Sequence, residues 1–209
     1  MVPANQEVDI LFKRSRLLLA AGSVVLASSL ALGFSTASFA STASKTPSVK
    51  FKGAISCSLT GSVKISPPLT ATATKVKITI AGKLTHCKGK TMQKKVKIKF
   101  GHFMGVSRAD ASCSDLLTGL PKLAGKVTWT TKGGHAKPTN FVYTNGSLTS
   151  QSPVTFGYPG TGGSGKATGS FAGTSTLQVV IKQTGTSILG ACAGNGVKAL
   201  TVKAGSFKA

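Results

Sequence analysis

Lys75-Val76-Lys77-Ile78-Thr79-Ile80 and Lys95-Val96-Lys97-Ile98-Lys99-Phe100 both alternate a polar residue, mostly lysine, with an apolar one. Successive side chains on a β-strand point to opposite faces, so each stretch draws a strand with one buried and one cationic face. The same reading spreads outward. Short β-like runs at 49–58, 61–65, 74–84, 94–103, 126–132, 140–144, 170–171 leading on, 176–183 and 197–203 are separated by Gly, Pro, Ser, Thr and Asn. Breaks are expected at Pro67-Pro68, Gly89, Gly133-Gly134, the hairpin signal Asn145-Gly146 and the glycine-rich stretch 157–165. Only 112–119 suggests a helix, with Ser112 as cap and Gly119 and Pro121 as stop. The interior is expected to draw on Val76, Ile78, Ile80, Val96, Ile98, Phe100, Val127, Trp129, Leu177, Val179 and Ile181.

The first forty residues read as an export signal. Lys13, Arg14 and Arg16 precede an uncharged, largely apolar stretch at 17–34, and Ser38 and Ala40 stand at minus 3 and minus 1 to a cut after Ala40. A stretch of about eighteen residues can just span a bilayer, but Gly22, Ser23, Ser28 and Ser29 interrupt this one. Ser15 separates Arg14 from Arg16, which does not support a twin-arginine route, and no cysteine near residue 40 offers a lipid anchor. The expected organisation is a signal peptide at 1–40, a flexible leader at 41–48 and a secreted β-domain at 49–209. No integral membrane domain is expected after cleavage, and the location is extracellular or cell-envelope-associated.

Three of the 26 Lys and Arg residues and two of the four acids fall before residue 41. That leaves 23 bases against Asp110 and Asp115, a net charge of +21. All four cysteines, Cys57, Cys87, Cys113 and Cys192, lie in the same part. An even number in an exported chain points to two disulfides with three possible connectivities; pairing sequence neighbours favours Cys57 with Cys87 and Cys113 with Cys192. Spacings of 30, 26 and 79 residues, with His86 the only histidine beside a cysteine, do not suggest a metal site. The fold expected is all-β: a single antiparallel β-sandwich or flattened barrel stapled by two disulfides and preceded by an N-terminal signal helix.

The segments Ile55-Ser-Cys57-Ser-Leu-Thr-Gly-Ser-Val63, Leu84-Thr-His-Cys87, Cys113-Ser-Asp-Leu-Leu117, Gly125-Lys-Val-Thr-Trp129 and Ala191-Cys192, with Gly196-Val197 and Gly205-Ser206-Phe207, carry a resemblance. Taken together they resemble a group of uncharacterised, secreted, four-cysteine, β-rich proteins from actinobacteria. The resemblance implies a secreted β-domain and carries over no catalytic residue. The high lysine content departs from it.

Enzyme constellations are thin. Glycosidic acid/base chemistry needs two carboxylates facing across a substrate, whereas Asp110 and Asp115 share one short segment, where a cap or surface role is expected. No Gly-x-Ser-x-Gly elbow marks a nucleophile, and His86, His102 and His135 are expected to face solvent. Residues 160–166 imitate a phosphate-binding loop, but Ala167 replaces the hydroxyl residue that would hold magnesium, so a flexible glycine loop is expected. The reading is therefore a non-catalytic domain without catalytic, cofactor-binding or metal residues. A secreted hydrolase with an unrecognised site is the alternative. A membrane-active basic protein is disfavoured, because no amphipathic helix is evident.

Lysine at solvent-facing strand positions keeps a sheet soluble and discourages edge-to-edge pairing. Ordinary surfaces mix both signs, however, and a single-sign field of this size attracts polyanions. Lys75, Lys77, Lys95, Lys97 and Lys99 are the candidate polyanion-binding residues, and anionic cell-wall polymers or lipid head groups are the candidate partners. Arg108 is the only arginine after residue 40, so diffuse point-charge attraction is expected rather than sequence-specific nucleic-acid readout.

Overall fold

The structure is a computed structural model that describes residues 48–49, 51, 53–89 and 96–209. The expected signal peptide, the leader up to residue 47, and Lys95 lie outside the described residues. In chain order the elements are β1 (Ser48–Val49), β2 (Ile55–Leu69), β3 (Thr74–Gly89), β4 (Lys97–Ala111), α1 (Cys113–Thr118), β5 (Leu123–Lys132), β6 (His135–Ala136) and β7 (Thr139–Tyr143). They continue with β8 (Ser147–Gln151), β9 (Val154–Tyr158), β10 (Gly165–Gly169), β11 (Gly173–Thr174), β12 (Thr176–Ile181), α2 (Gly185–Ala193) and β13 (Val197–Lys208).

Eleven of these strands form one sheet in the order β11-β10-β7-β5-β4-β3-β2-β13-β12-β9-β8, and β1 pairs with β6 alone. Every neighbouring pair in the large sheet is antiparallel. The sheet curls on itself into a half-barrel, as ring contacts between strands distant in that order show. Phe103 of β4 and Phe141 of β7 each lie 5.9 Å, centroid to centroid, from Phe207 of β13, and Tyr143 of β7 lies 5.6 Å from Tyr158 of β9. The all-β, antiparallel, two-disulfide expectation holds, and the two facing layers belong to one sheet.

Alternation fixes which residues go inward. Val76, Ile78, Ile80 and Leu84 of β3 are buried while Lys75, Lys77 and Lys83 are exposed. Burying a large apolar side chain contributes roughly 1.5–3 kcal/mol, and a well-placed aromatic pair adds about 0.5–1.5 kcal/mol. The cluster of Phe103, Phe141, Phe207, Trp129 and Phe171 is thus the energetic centre. Close approach beneath it depends on Gly105 and Gly125, which face each other across β4 and β5. A Cβ on Gly125 would stand 2.0 Å from the Met104 carbonyl oxygen and 2.7 Å from the Phe141 ring.

Several expectations are corrected. β2 runs unbroken through Gly61 and Pro67-Pro68, because both prolines fall where the ladder to β13 slips and no ladder bond is lost. Phe100 is half-buried and faces outward: Ile98 and Phe100 of β4 face the consecutive residues Thr131 and Thr130 of β5, so Lys99 is an extra residue that flips the alternation. Asn145-Gly146 makes no hairpin. β7 pairs with β5 and β10, β8 pairs with β9, and Gly146 exchanges backbone bonds with Leu120 beneath the Tyr158 ring. A second helix, α2, is present beyond the single one expected at 112–119.

The helix expected at 112–119 is α1, with Ser112 as its cap and Asp115 closing a capping box. Disulfides Cys57–Cys87 and Cys113–Cys192 join β2 to β3 and α1 to α2, the favoured pairing. His86, at φ +50°, lies at the irregularity that brings Cys87 opposite Cys57.

Candidate anion-binding surface

The register of β2, β3, β4 and β5 decides where the lysines stand. In the antiparallel β3/β4 pair, Lys75 is opposite Asp110 and Lys77 is opposite Arg108. The start of β4 therefore lies at the other end of the pair, where Lys97 is opposite Lys132 of β5. Lys97 and Lys99 are exposed there, and Lys95 lies outside the described residues. The candidate lysines do not gather into one patch: Lys75 and Lys77 occupy one end of the curled sheet, Lys97 and Lys99 the opposite end. Neighbours in a hairpin run opposite ways, so two lysine runs that each open a strand must separate; that signal was present in the order of the elements.

The two ends differ in charge balance. Asp110 and α1, with Asp115, share the Lys75 end. Asp115 is engaged locally: the Ser112 hydroxyl and the Ser112 amide each donate to its carboxylate at 2.7 Å, and these bonds, the hydroxyl's foremost, hold its carboxyl below the ordinary aspartate value. No acid stands at the Lys97 end among the described residues. Lys83, Lys97, Lys99 and Lys132 are exposed there, with His86, His102 and His135. The Lys83 ammonium sits 4.7 Å above the Phe100 ring, which meets the His102 ring edge-on at 5.2 Å. Phe100, turned outward by the Lys99 bulge, thereby supplies an apolar floor to a cationic surface; an exposed cation–π contact contributes about 0.5–1 kcal/mol. Lys132 and Lys83 carry no mark in the sequence reading, Arg108 stands out there only as the sole arginine after residue 40, and Phe100 is expected in the core rather than at the surface.

Asp110 and Asp115 line one shallow groove beside α1, where Asp115 is taken up by its bonds to Ser112. His102 and Asp110 lie on the same strand, roughly 27 Å apart at ~3.4 Å per residue. His86 and His135 are exposed at the same end as His102. Among the described residues no three His, Cys, Asp or Glu side chains come together as a metal site. The glycine segment is tied rather than loose: Gly160 donates to the Asn145 carbonyl, Gly163 to that of Gly160, and Thr144 to that of Ser164. Lys166 sits in β10, and no helix N-terminus follows to receive a phosphate.

Tyr143 and Tyr158 are buried between the layers. The Tyr143 hydroxyl bonds Ser175 at 2.8 Å, and Ser175 bonds the Lys208 carbonyl, whereas the Tyr158 hydroxyl has no partner among the described residues. Burial pushes both phenols well above the usual tyrosine value. These groups hold the layers together and are closed to solvent.

Two disulfides are those of a chain that lives outside a reducing compartment. No described helix is long and apolar enough to cross a membrane. Compared with models of known families, with curated proteins and with solved structures, the chain matches none.

Proposed function

We propose that this chain is a secreted or cell-envelope-associated, non-catalytic β-domain that binds anionic polymers or surfaces, with the acid-free end of the sheet as its contact. The observation that carries the reading is the direct opposition of Lys97 and Lys132, with Lys99 beside them. Like charges opposite each other on neighbouring strands destabilise a sheet. Here no described acid offsets them, and a polyanion supplies the missing counter-charge. Lysine's compact ammonium suits such diffuse attraction better than patterned readout. Binding of this kind falls steeply with salt.

The test is retention of the secreted, disulfide-bonded protein on immobilised polyphosphate. A Lys97→Gln/Lys99→Gln/Lys132→Gln variant is compared with Lys64→Gln/Lys122→Gln/Lys198→Gln, which loses the same charge elsewhere. The first variant is expected to elute at clearly lower salt than the second. Equal elution of the two overturns a focused surface and leaves only net charge.

A further inference from the structure

The opposite end of the same strands holds a different arrangement. Ser66 of β2, Lys77 of β3 and Arg108 of β4 form one row across three neighbouring strands. All three are exposed and line a shallow groove of about 390 Å³, whose rim adds Lys75 and Asp110. The Cβ atoms of directly opposed residues on neighbouring strands lie roughly 5 Å apart, so Lys77 and Arg108 repel each other. Every other base after residue 40 is lysine; the single arginine stands in this groove.

We propose that this groove is a discrete site for a hydrogen phosphate group, distinct from the polymer-binding end. The donors fit a tetrahedral oxyanion. The Arg108 fork takes two oxygens at once, Lys77 adds a point charge, and the Ser66 hydroxyl reaches a third oxygen. Three cations and one acid leave the groove at about +2, matched to a phosphate dianion. Asp110 defines the selectivity. A carboxylate only accepts hydrogen bonds at neutral pH, so it welcomes an oxyanion that keeps a P–OH proton and repels one that has none. Hydrogen phosphate qualifies and sulfate does not. The same carboxylate disfavours a long polyanion laid across the groove and a monoester dianion, which has lost its P–OH proton at neutral pH, so the occupant is the free hydrogen phosphate ion.

The experiment follows the Arg108 Nε–H and the Ser66 and Lys77 amides by ¹H–¹⁵N NMR at constant ionic strength, adding orthophosphate, methyl phosphate or sulfate. Orthophosphate is expected to give saturable shifts at these three residues, with sulfate at least about tenfold weaker, a difference of ~1.4 kcal/mol. Methyl phosphate, a dianion without a P–OH proton at neutral pH, is expected to be as weak as sulfate, and saturation equal to that of orthophosphate overturns the role given to Asp110. Asp110→Asn should erase the preference for orthophosphate over sulfate. Arg108→Lys, which keeps the charge, should weaken orthophosphate at least about tenfold through loss of the fork. Non-saturating shifts, equal response to phosphate and sulfate, or an unchanged Arg108→Lys titration each overturn the proposal. Arg108→Lys should elute from polyphosphate at the wild-type salt, so failure of this site and failure of the polymer-binding surface read out separately.

Discussion

Thr139→Val tests how the two ends of the aromatic cluster are held in register. Thr139 is fully buried on β7, and its hydroxyl accepts from the Trp129 indole N–H at 2.9 Å and from the Phe171 backbone N–H at 3.3 Å. Valine has nearly the same shape, so the substitution leaves no cavity and strands two buried donors. An unsatisfied buried donor costs roughly 1–3 kcal/mol. Taking the shorter bond near the middle of that range and the longer near its bottom gives a loss of about 3 kcal/mol. Thr139→Ser keeps the acceptor and removes one methyl, worth ~0.8 kcal/mol. The assay is equilibrium urea unfolding of the oxidised protein, read by the emission of Trp129, the chain's only tryptophan. With a slope near 2 kcal/mol per molar, the midpoint should fall by about 1.5 M for valine and about 0.4 M for serine. A valine variant as stable as wild type, or less affected than serine, would refute the idea that the hydroxyl rather than the methyl carries the site.

Tyr158→Phe should be neutral or slightly stabilising, because it removes a buried hydroxyl without a described partner, whereas Tyr143→Phe breaks the bond to Ser175 and should lower stability by about 1 kcal/mol; thermal melts of the two variants rank them. Opening Cys113–Cys192 by double alanine substitution should cost more than opening Cys57–Cys87, about 4.5 against ~3.7 kcal/mol on a chain-entropy account of their loops of 79 and 30 residues, as read from urea midpoints. Asp115, whose folded carboxyl sits below 3.8, stabilises the fold above that pH and loses its contribution as pH falls through the folded value; the midpoint difference between wild type and Asp115→Asn should therefore be present at pH 6 and shrink towards zero near pH 2. Both tyrosines have phenols raised by burial, so tyrosinate absorbance should stay absent as pH passes 10.0 and appear only when the alkaline protein unfolds, which pH-jump spectroscopy checks.

Period-two alternation was enough to name most of the strands and the inward set, because burial on one face leaves a local trace. Val76, Ile78, Ile80, Val127, Leu177, Val179 and Ile181 are all buried as read. The cap at Ser112 was legible for the same reason, since a capping box is written within four residues. What stayed hidden depends on residues far away. The bulge at Lys99 exists only relative to β5, and it turned Phe100 from an expected core residue into part of the surface. Pairing choice sent Asn145-Gly146 across the molecule instead of into a hairpin. α2 is poor in helix formers, with Gly185 and Gly190 among its nine residues, and only Ile188 and Cys192, four apart, hint at its buried side. For the candidate surface, alternation said that the lysines face out but was silent on register, which placed Lys77 against Arg108 and Lys97 against Lys132.

β13 comes last along the chain but lies between β2 and β12. Until residues 197–208 have been made, β2 keeps an open edge, and Phe207 is missing from the ring cluster that meets Phe103 and Phe141. Cys192 also emerges only shortly before, so the Cys113 bridge must wait as well. The centre of the sheet and of the ring cluster is thus supplied by the last of the described strands. A chain stopped before residue 197 would leave β2 and β12 without the strand that joins them, each with an open edge of the kind that pairs with other chains.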